Sequence, residues 1–270
     1  MVAKIPAAGV SLDGAVVVNE SSADVDTRIE SNANTHMLFV DGGNNSIGIN
    51  NSTPGSYDGG ADDLVVGSHS VASQGITIAS DVNSILYFAD GTSGDEAYRG
   101  SIIYNHAADN FVIRTAGFNT RMTIDSTGAV TMPTQPAFSV TQSAAQTNIA
   151  SGANITFDTE VFDQNADFAS NTFTAPVTGK YQLNLQLRLG QIDSASNYVF
   201  PNLVTSNRSY QSIFDPSKSS GDLVYFTMTI SVMADMDAND TADVHFYYSA
   251  GAQQVDTDAG GTSFSGALIC

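Results

Sequence analysis

Tryptophan is absent from this 270-residue chain, cysteine occurs once, and lysine and arginine together number only nine. Each scarcity excludes something. A single cysteine, Cys270, rules out an intrachain disulfide, so stability has to come from burial or assembly. The few basic residues face 28 acidic ones, for a formal charge of −19. That balance argues against nucleic acid as a partner, because phosphate binding needs clustered Lys and Arg, and equally against an anionic membrane surface. No apolar run approaches the roughly 20 residues a spanning helix needs. The opening "MVAKIPAAGVSLDG" holds one lysine and no apolar core of about 7–15 residues, so the chain is expected to be made in the cytoplasm or already processed.

What is present points to strands. Hydrophobic residues make up 42% of the chain, there are 23 glycines, and 24 of the acids are Asp against four Glu. Asp favours turns and Glu favours helix, so almost no helix is expected. The acidic coat reads first as a solubility device for an all-β protein.

Composition changes near "TMPTQPAF", Thr131 to Phe138. Residues 1–133 hold eight Phe and Tyr and residues 134–270 hold sixteen, while the charge is shared almost evenly, −10 and −9. Aromatics carry much of the buried area of a small core. The C-terminal half, 134–270, can fill a globular interior. The N-terminal half, 1–133, reads as short strands: 15–18, 27–31, 63–68, 75–80 and 84–91, with hairpins in 36–49, 100–117 and 121–132. The last closes through Asp125-Ser126-Thr127-Gly128. Such strands leave edges and apolar faces in water when alone. Several identical chains wound together remove both problems, which makes 1–133 an oligomeric β-rich stalk or base; a small independent sandwich is the alternative.

The stretch "KYQLNLQLRLG" puts Tyr181, Leu183, Leu185, Leu187 and Leu189 on one face of a strand and Gln182, Asn184, Gln186 and Arg188 on the other. The same alternation runs through 225–233, and further strands are expected at 153–163, 243–249 and 262–269. Many strands with long connections suggest a two-sheet sandwich or jelly roll.

The order "PAFSV" (136–140), "ITFDTEVFD" (155–163), "FASNTFTAPVTGKYQLNLQL" (168–187), "MDANDTADVHFYY" (236–248) and closing "TSFSGALI" (262–269) resembles the complement-type globular head. That family is a trimeric jelly roll shared with tumour-necrosis-factor-like ligands. Asn239-Asp240 stands where the family usually has Gly before Asp, and no collagen repeat precedes the head. In the motif Phe-x-x-Pro-x-x-Gly-x-Tyr, Pro176 is expected to fix the turn and Gly179 to take a positive φ. The resemblance implies a homotrimer, with the second face of some strands at the threefold axis. Segments of residues 14–132 are similar to β-repeats of tailed-phage fibre and virion proteins, which implies a docking role on a particle.

No catalytic set is legible. His36, His69, His106 and His245 are scattered, and neither "GSHS" nor "GTSFSG" is a nucleophile elbow. Carboxylates are the remaining candidates. Asp235, Asp237, Asn239 and Asp240 lie within six residues and suit hard Ca²⁺, although the spacing fails as an EF-hand and a solvated loop explains them as well. No other cofactor is expected. For binding, the segments 191–202 and 205–222 read as loops on the head, with Tyr198, Arg208 and Tyr210 as anchors for a receptor and Phe200 and Phe214 as core caps or interface residues.

The resulting expectation is a non-enzymatic structural virion protein of a bacteriophage, a tail fibre, head fibre or capsid-decorating knob. It would be assembled in the host cytoplasm, displayed on the virion surface, docked through its N-terminal half to other virion proteins, and able to meet a host-surface glycan or protein. A soluble trimeric recognition or signalling ligand of tumour-necrosis-factor type, and a glycan-cleaving tail spike, are the alternatives.

Overall fold

The computed structural model describes residue 18, residues 22–251 and residues 255–270. The described residues contain no α-helix, only strands and four short 3₁₀ turns, as the Asp-rich, Glu-poor composition requires. The strand expected over 15–18 lies, apart from Val18, outside the described residues. The chain divides into two compact units after Asp81, so the sheet that follows groups with the head rather than with the residues before it.

In the first unit, β1 (Thr27–Ile29), β2 (Leu38–Asp41), β3 (Ser46–Ile49) and β4 (Leu64–Val66) form one sheet in that order. The β2–β3 hairpin is the one expected from "LFVDGGNNSIGI". Asp41 Oδ1 accepts from Asn44 N at 3.0 Å, and Asn45 takes the left-handed turn position at φ 56°. Residues 75–80, expected as a strand, form none, and Ile76 and Ile78 stand exposed.

The second unit begins with an antiparallel meander: β5 (Asn83–Phe88), β6 (Gly100–Asn105), β7 (Asn110–Thr115), β8 (Asn119–Ile124) and β9 (Val130–Thr131). The turn before β9 is built as its sequence suggests. Asp125 Oδ1 accepts from Thr127 N, Thr127 Oγ1 and Ala129 N at 2.7–2.9 Å, and Gly128 sits at φ 88°.

The head follows: β10 (Ala137–Thr141), β11 (Ala153–Asn154), β12 (Thr159–Asp163), β13 (Phe168–Ala169), β14 (Thr172–Thr174), β15 (Gly179–Ile192), β16 (Tyr198–Thr205), β17 (Ser209–Gln211), β18 (Leu223–Met236), β19 (Thr241–Ser249), β20 (Asp256–Thr257) and β21 (Ser263–Leu268). The front sheet runs β12-β10-β21-β15-β18 with β20 beside β15. The back sheet runs β13-β14-β19-β16-β17 with β11 beside β19. Two antiparallel sheets whose neighbours are distant in sequence make a jelly roll. The strand expected over 153–163 is split: β11 joins the back sheet and β12 the front, while Ile155 and Phe157 drop into the core between them. First and last head strands pair, β10 with β21, and Leu268 N donates to Pro136 O at 3.0 Å.

The long strand answers its alternation. Tyr181, Leu183, Leu185, Leu187 and Leu189 are all buried, opposite Ala234, Val232, Ile230, Met228 and Phe226 of β18. Phe138 stacks on Phe173 and Phe168, with ring centroids 4.7 and 5.2 Å apart, and meets Phe264 edge-on at 5.0 Å. Such aromatic pairs add about 0.5–1.5 kcal/mol each beyond area burial. One expectation fails in its reason: Gly179 is not at positive φ. A Cβ there would sit 2.5 Å from Leu268 Cδ1 and 2.7 Å from the Cys270 carbonyl, so close approach of residues 268–270, rather than turn geometry, demands glycine.

Candidate functional site

The residues singled out as receptor anchors are placed but not gathered. Tyr198 opens β16, an eight-residue strand rather than a loop, and is exposed. Arg208 lies at the other end of that strand, in the tight turn where its N–H donates to Thr205 Oγ1 at 3.0 Å. Tyr210 pairs in register with Leu203 on β17 and packs partly against the core, which takes it out of a purely exposed role. Five residues of strand separate Tyr198 from Leu203, roughly 16 Å, so Tyr198 does not meet the other two. Phe214 caps the core, stacked on Phe226 at 4.2 Å.

The acidic turn is likewise spoken for by its own surroundings. Asp235 pairs with Lys180. Asp237 Oδ1 accepts from Thr178 Oγ1 at 3.5 Å. Asp240 Oδ2 accepts from Asn207 Nδ2 at 2.7 Å and from Asp237 N at 2.9 Å. Asn239, at φ 73°, donates its N–H to Ala175 O at 2.7 Å. Its left-handed backbone is what the glycine of the family pattern supplies; Asn tolerates it better than most side chains. Among the described residues, no group of three or more His, Cys, Asp or Glu is arranged to hold a metal ion.

Two faces of the head stand out instead. The outer face of the front sheet is small, polar and nearly uncharged. One cross-strand row reads Phe162, Ser139, Ser265, Asn184, Ser231, and the next reads Thr159, Thr141, Ser263, Gln186, Thr229. Its amides and hydroxyls are linked: Gln182 Nε2 donates to Ser231 Oγ at 3.0 Å, and Ser231 Oγ donates to Asn184 Oδ1 at 2.8 Å. Charges enter as the pairs Lys180 with Asp235 and Arg188 with Asp258 and, beside Gly190, as Asp256, whose Oδ1 accepts from Asn148 N at 2.7 Å. Apolar residues rim the face: Tyr225, Met233 and Phe162 are exposed.

The outer face of the back sheet carries an aromatic row. Phe200 and Tyr247, register partners on β16 and β19, stack at 5.1 Å and 13°. Tyr198 lies 5.7 Å from Phe200, and His245 lies 6.4 Å from Tyr247 with Nε2 3.2 Å from Asp243 Oδ1. His245 Nδ1 is 3.1 Å from Gly152 O. Sequence reasoning missed Tyr247 and His245. The signal was available in "DVHFYYS", where Asp243, His245 and Tyr247 alternate with the buried Val244, Phe246 and Tyr248.

Both faces belong to a recognisable domain. Residues 137–269 match the family model described as the C1q domain. Proteins carrying that domain are in general binding or structural proteins, and no catalytic family is found in the chain. Among solved structures, the globular domain of zebrafish complement 1qA protein is similar, at 17% identity and a TM-score of 0.39, covering 50% of this chain and 98% of that one. No curated protein matches the chain.

Proposed function

We propose that the chain is a non-enzymatic structural and attachment protein of a bacteriophage virion. Its C1q-type head associates as a homotrimer through the outer face of the front sheet and presents the back sheet outward. The observation that carries the assembly is the charge-poor front face. Copies that each bear −19 approach one another at least cost through a surface poor in carboxylates. Serine, threonine, asparagine and glutamine there keep their hydrogen bonds whether they face water or a neighbour.

The placement on a phage particle is supported by the resemblance of residues 14–132 to phage fibre and virion repeats. In that setting the N-terminal half docks on other virion proteins. The aromatic row of Tyr198, Phe200 and Tyr247 gives the outward face a platform for a host-surface glycan or protein, since rigid aromatics are favoured binding anchors. A soluble recognition ligand of tumour-necrosis-factor type would use the same jelly roll and the same trimer.

The assembly is tested by light scattering of the purified chain at micromolar concentration. The mass expected is three times 28.2 kDa, and Asn184→Lys combined with Ser231→Lys is expected to reduce it. A single-chain mass for the unaltered protein refutes the assembly. Antibody labelling of the head on intact phage particles decides between the two settings: decoration at a fixed position on the particle supports the virion protein, and its absence supports the soluble ligand.

A further inference from the structure

We infer that the five-stranded sheet β5–β9 is a self-association surface in its own right, one face of it packing against the same face of the other copies of this chain around a common axis. The inference does not draw on the head. One cross-strand row of this face is Leu86, Ile102, Ile113 and Met122, and the flanking row contains Tyr104, Phe111 and Ile124. Leu86, Phe88, Ile102, Phe111, Ile113 and Val130 are each 38–54% exposed.

The opposite face is already in use. Ser101, Ile103 and Val112 on it are buried, and Tyr98 from the excursion between β5 and β6 packs on Tyr87 and Phe118, at 6.2 and 4.4 Å. An antiparallel sheet with one solvated face shows polar residues there. Here both faces are apolar, so the second also belongs against protein.

Area and charge both point to a like copy as the occupant. Large side chains present on the order of 150–250 Å² when fully exposed. Six of them half-exposed leave roughly 500 Å², at the upper range of what a monomer shows and approaching the roughly 800 Å² per partner of a standard interface. The face carries no carboxylate at a strand position; its one charged strand position is Arg121, in the β8 bulge, and the Asp90–Arg99 pair, at 3.2 Å, borders it beside Phe88. At its margins Asp109 accepts from the Tyr104 hydroxyl, and Arg121 Nε donates to Thr115 Oγ1 at 2.9 Å. A basic partner would be met by carboxylates, which this chain has in excess. A second copy, equally acidic, has to be met without them.

The single native cysteine makes the test clean. In the full chain with Cys270→Ser, Ile113→Cys or Leu86→Cys is oxidised at micromolar concentration and run on a denaturing gel. Covalently linked pairs are expected, forming on the order of a hundredfold faster than with Thr127→Cys at the exposed β8–β9 turn, because apposed thiols meet at millimolar effective concentration. If the face cysteines link no faster than Thr127→Cys while light scattering still finds assembled chains, the face does not lie between copies. The inference then fails and the head's assembly stands. If light scattering finds single chains, both fail.

Discussion

The Tyr181 hydroxyl donates a 2.7 Å hydrogen bond to the carbonyl of Val177, four residues back, and so ties the start of β15 to the turn that delivers it. The ring is fully buried while the hydroxyl reaches backbone, and burial pushes its pKa up, which favours the neutral donor. Tyr181→Phe keeps the ring and removes only the bond. A loss of about 1 kcal/mol is expected, read as a lower urea midpoint with unchanged slope.

Leu185 sits at the centre of the leucine row, in register with Ile230 on one side and Phe264 on the other. Leu185→Ala leaves a cavity that two sheets cannot close, and a cost of about 2–5 kcal/mol is expected. Gln186→Ala, one position along and facing outward, should cost far less. Equal losses in thermal melts would mean the row is not the core.

Gly266 is limited by space. A Cβ there would lie 2.7 Å from both Leu183 Cδ2 and Phe138 Cε1, two buried side chains with nowhere to move. Gly266→Ala is expected to destabilise by about 1–3 kcal/mol through overpacking. Adding Leu183→Val should recover part of the loss, and no recovery in the double variant would count against this steric account.

Acid should weaken the fold from a definite direction. The Arg188 guanidinium bonded to Asp258 holds that carboxyl below the usual carboxylate range, and hydrogen bonds from Thr127, Ser143, Ser217 and Ser194 do the same for Asp125, Asp158, Asp215 and Asp222. A folded pKa below the unfolded value of about 3.9 contributes stability above that pH, and loses it as pH falls through the folded pKa. Asp167 has the opposite sign, since burial pushes its carboxyl up. Melting temperature is expected to hold between about pH 7 and pH 5 and to fall below about pH 4. Asp258→Asn should lower the neutral value and flatten part of that fall; an unaltered profile would deny the pair its role.

Alternation was a sufficient guide where a strand is long and one face is core. Residues 181–189 and 225–233 were legible because period two over many positions admits no other packing, and the strands run a few residues further at each end, Gly179–Ile192 and Leu223–Met236. It misled where pairing partners decide. Residues 75–80 alternate yet form no strand, and 153–163 reads as one strand yet serves both sheets. The segments 191–202 and 205–222 looked like loops because Ser, Asn and Pro punctuate them, although Pro201 and Asn202 sit inside β16. The binding candidates suffered from the same cause. Tyr198, Arg208 and Tyr210 are neighbours in sequence but spread along a strand pair, whereas Phe200 and Tyr247 become neighbours only through the β16–β19 register. Cross-strand adjacency over nearly fifty residues has no local signature.

The pairing of β10 with β21 brings entrance and exit of the jelly roll side by side, within one hydrogen bond between Pro136 and Leu268. A module with adjoining ends behaves as a cassette. It can be grafted into a surface loop of an unrelated carrier through two short joints, or have its natural ends bridged and new ones cut elsewhere, with no strand forced to leave its sheet.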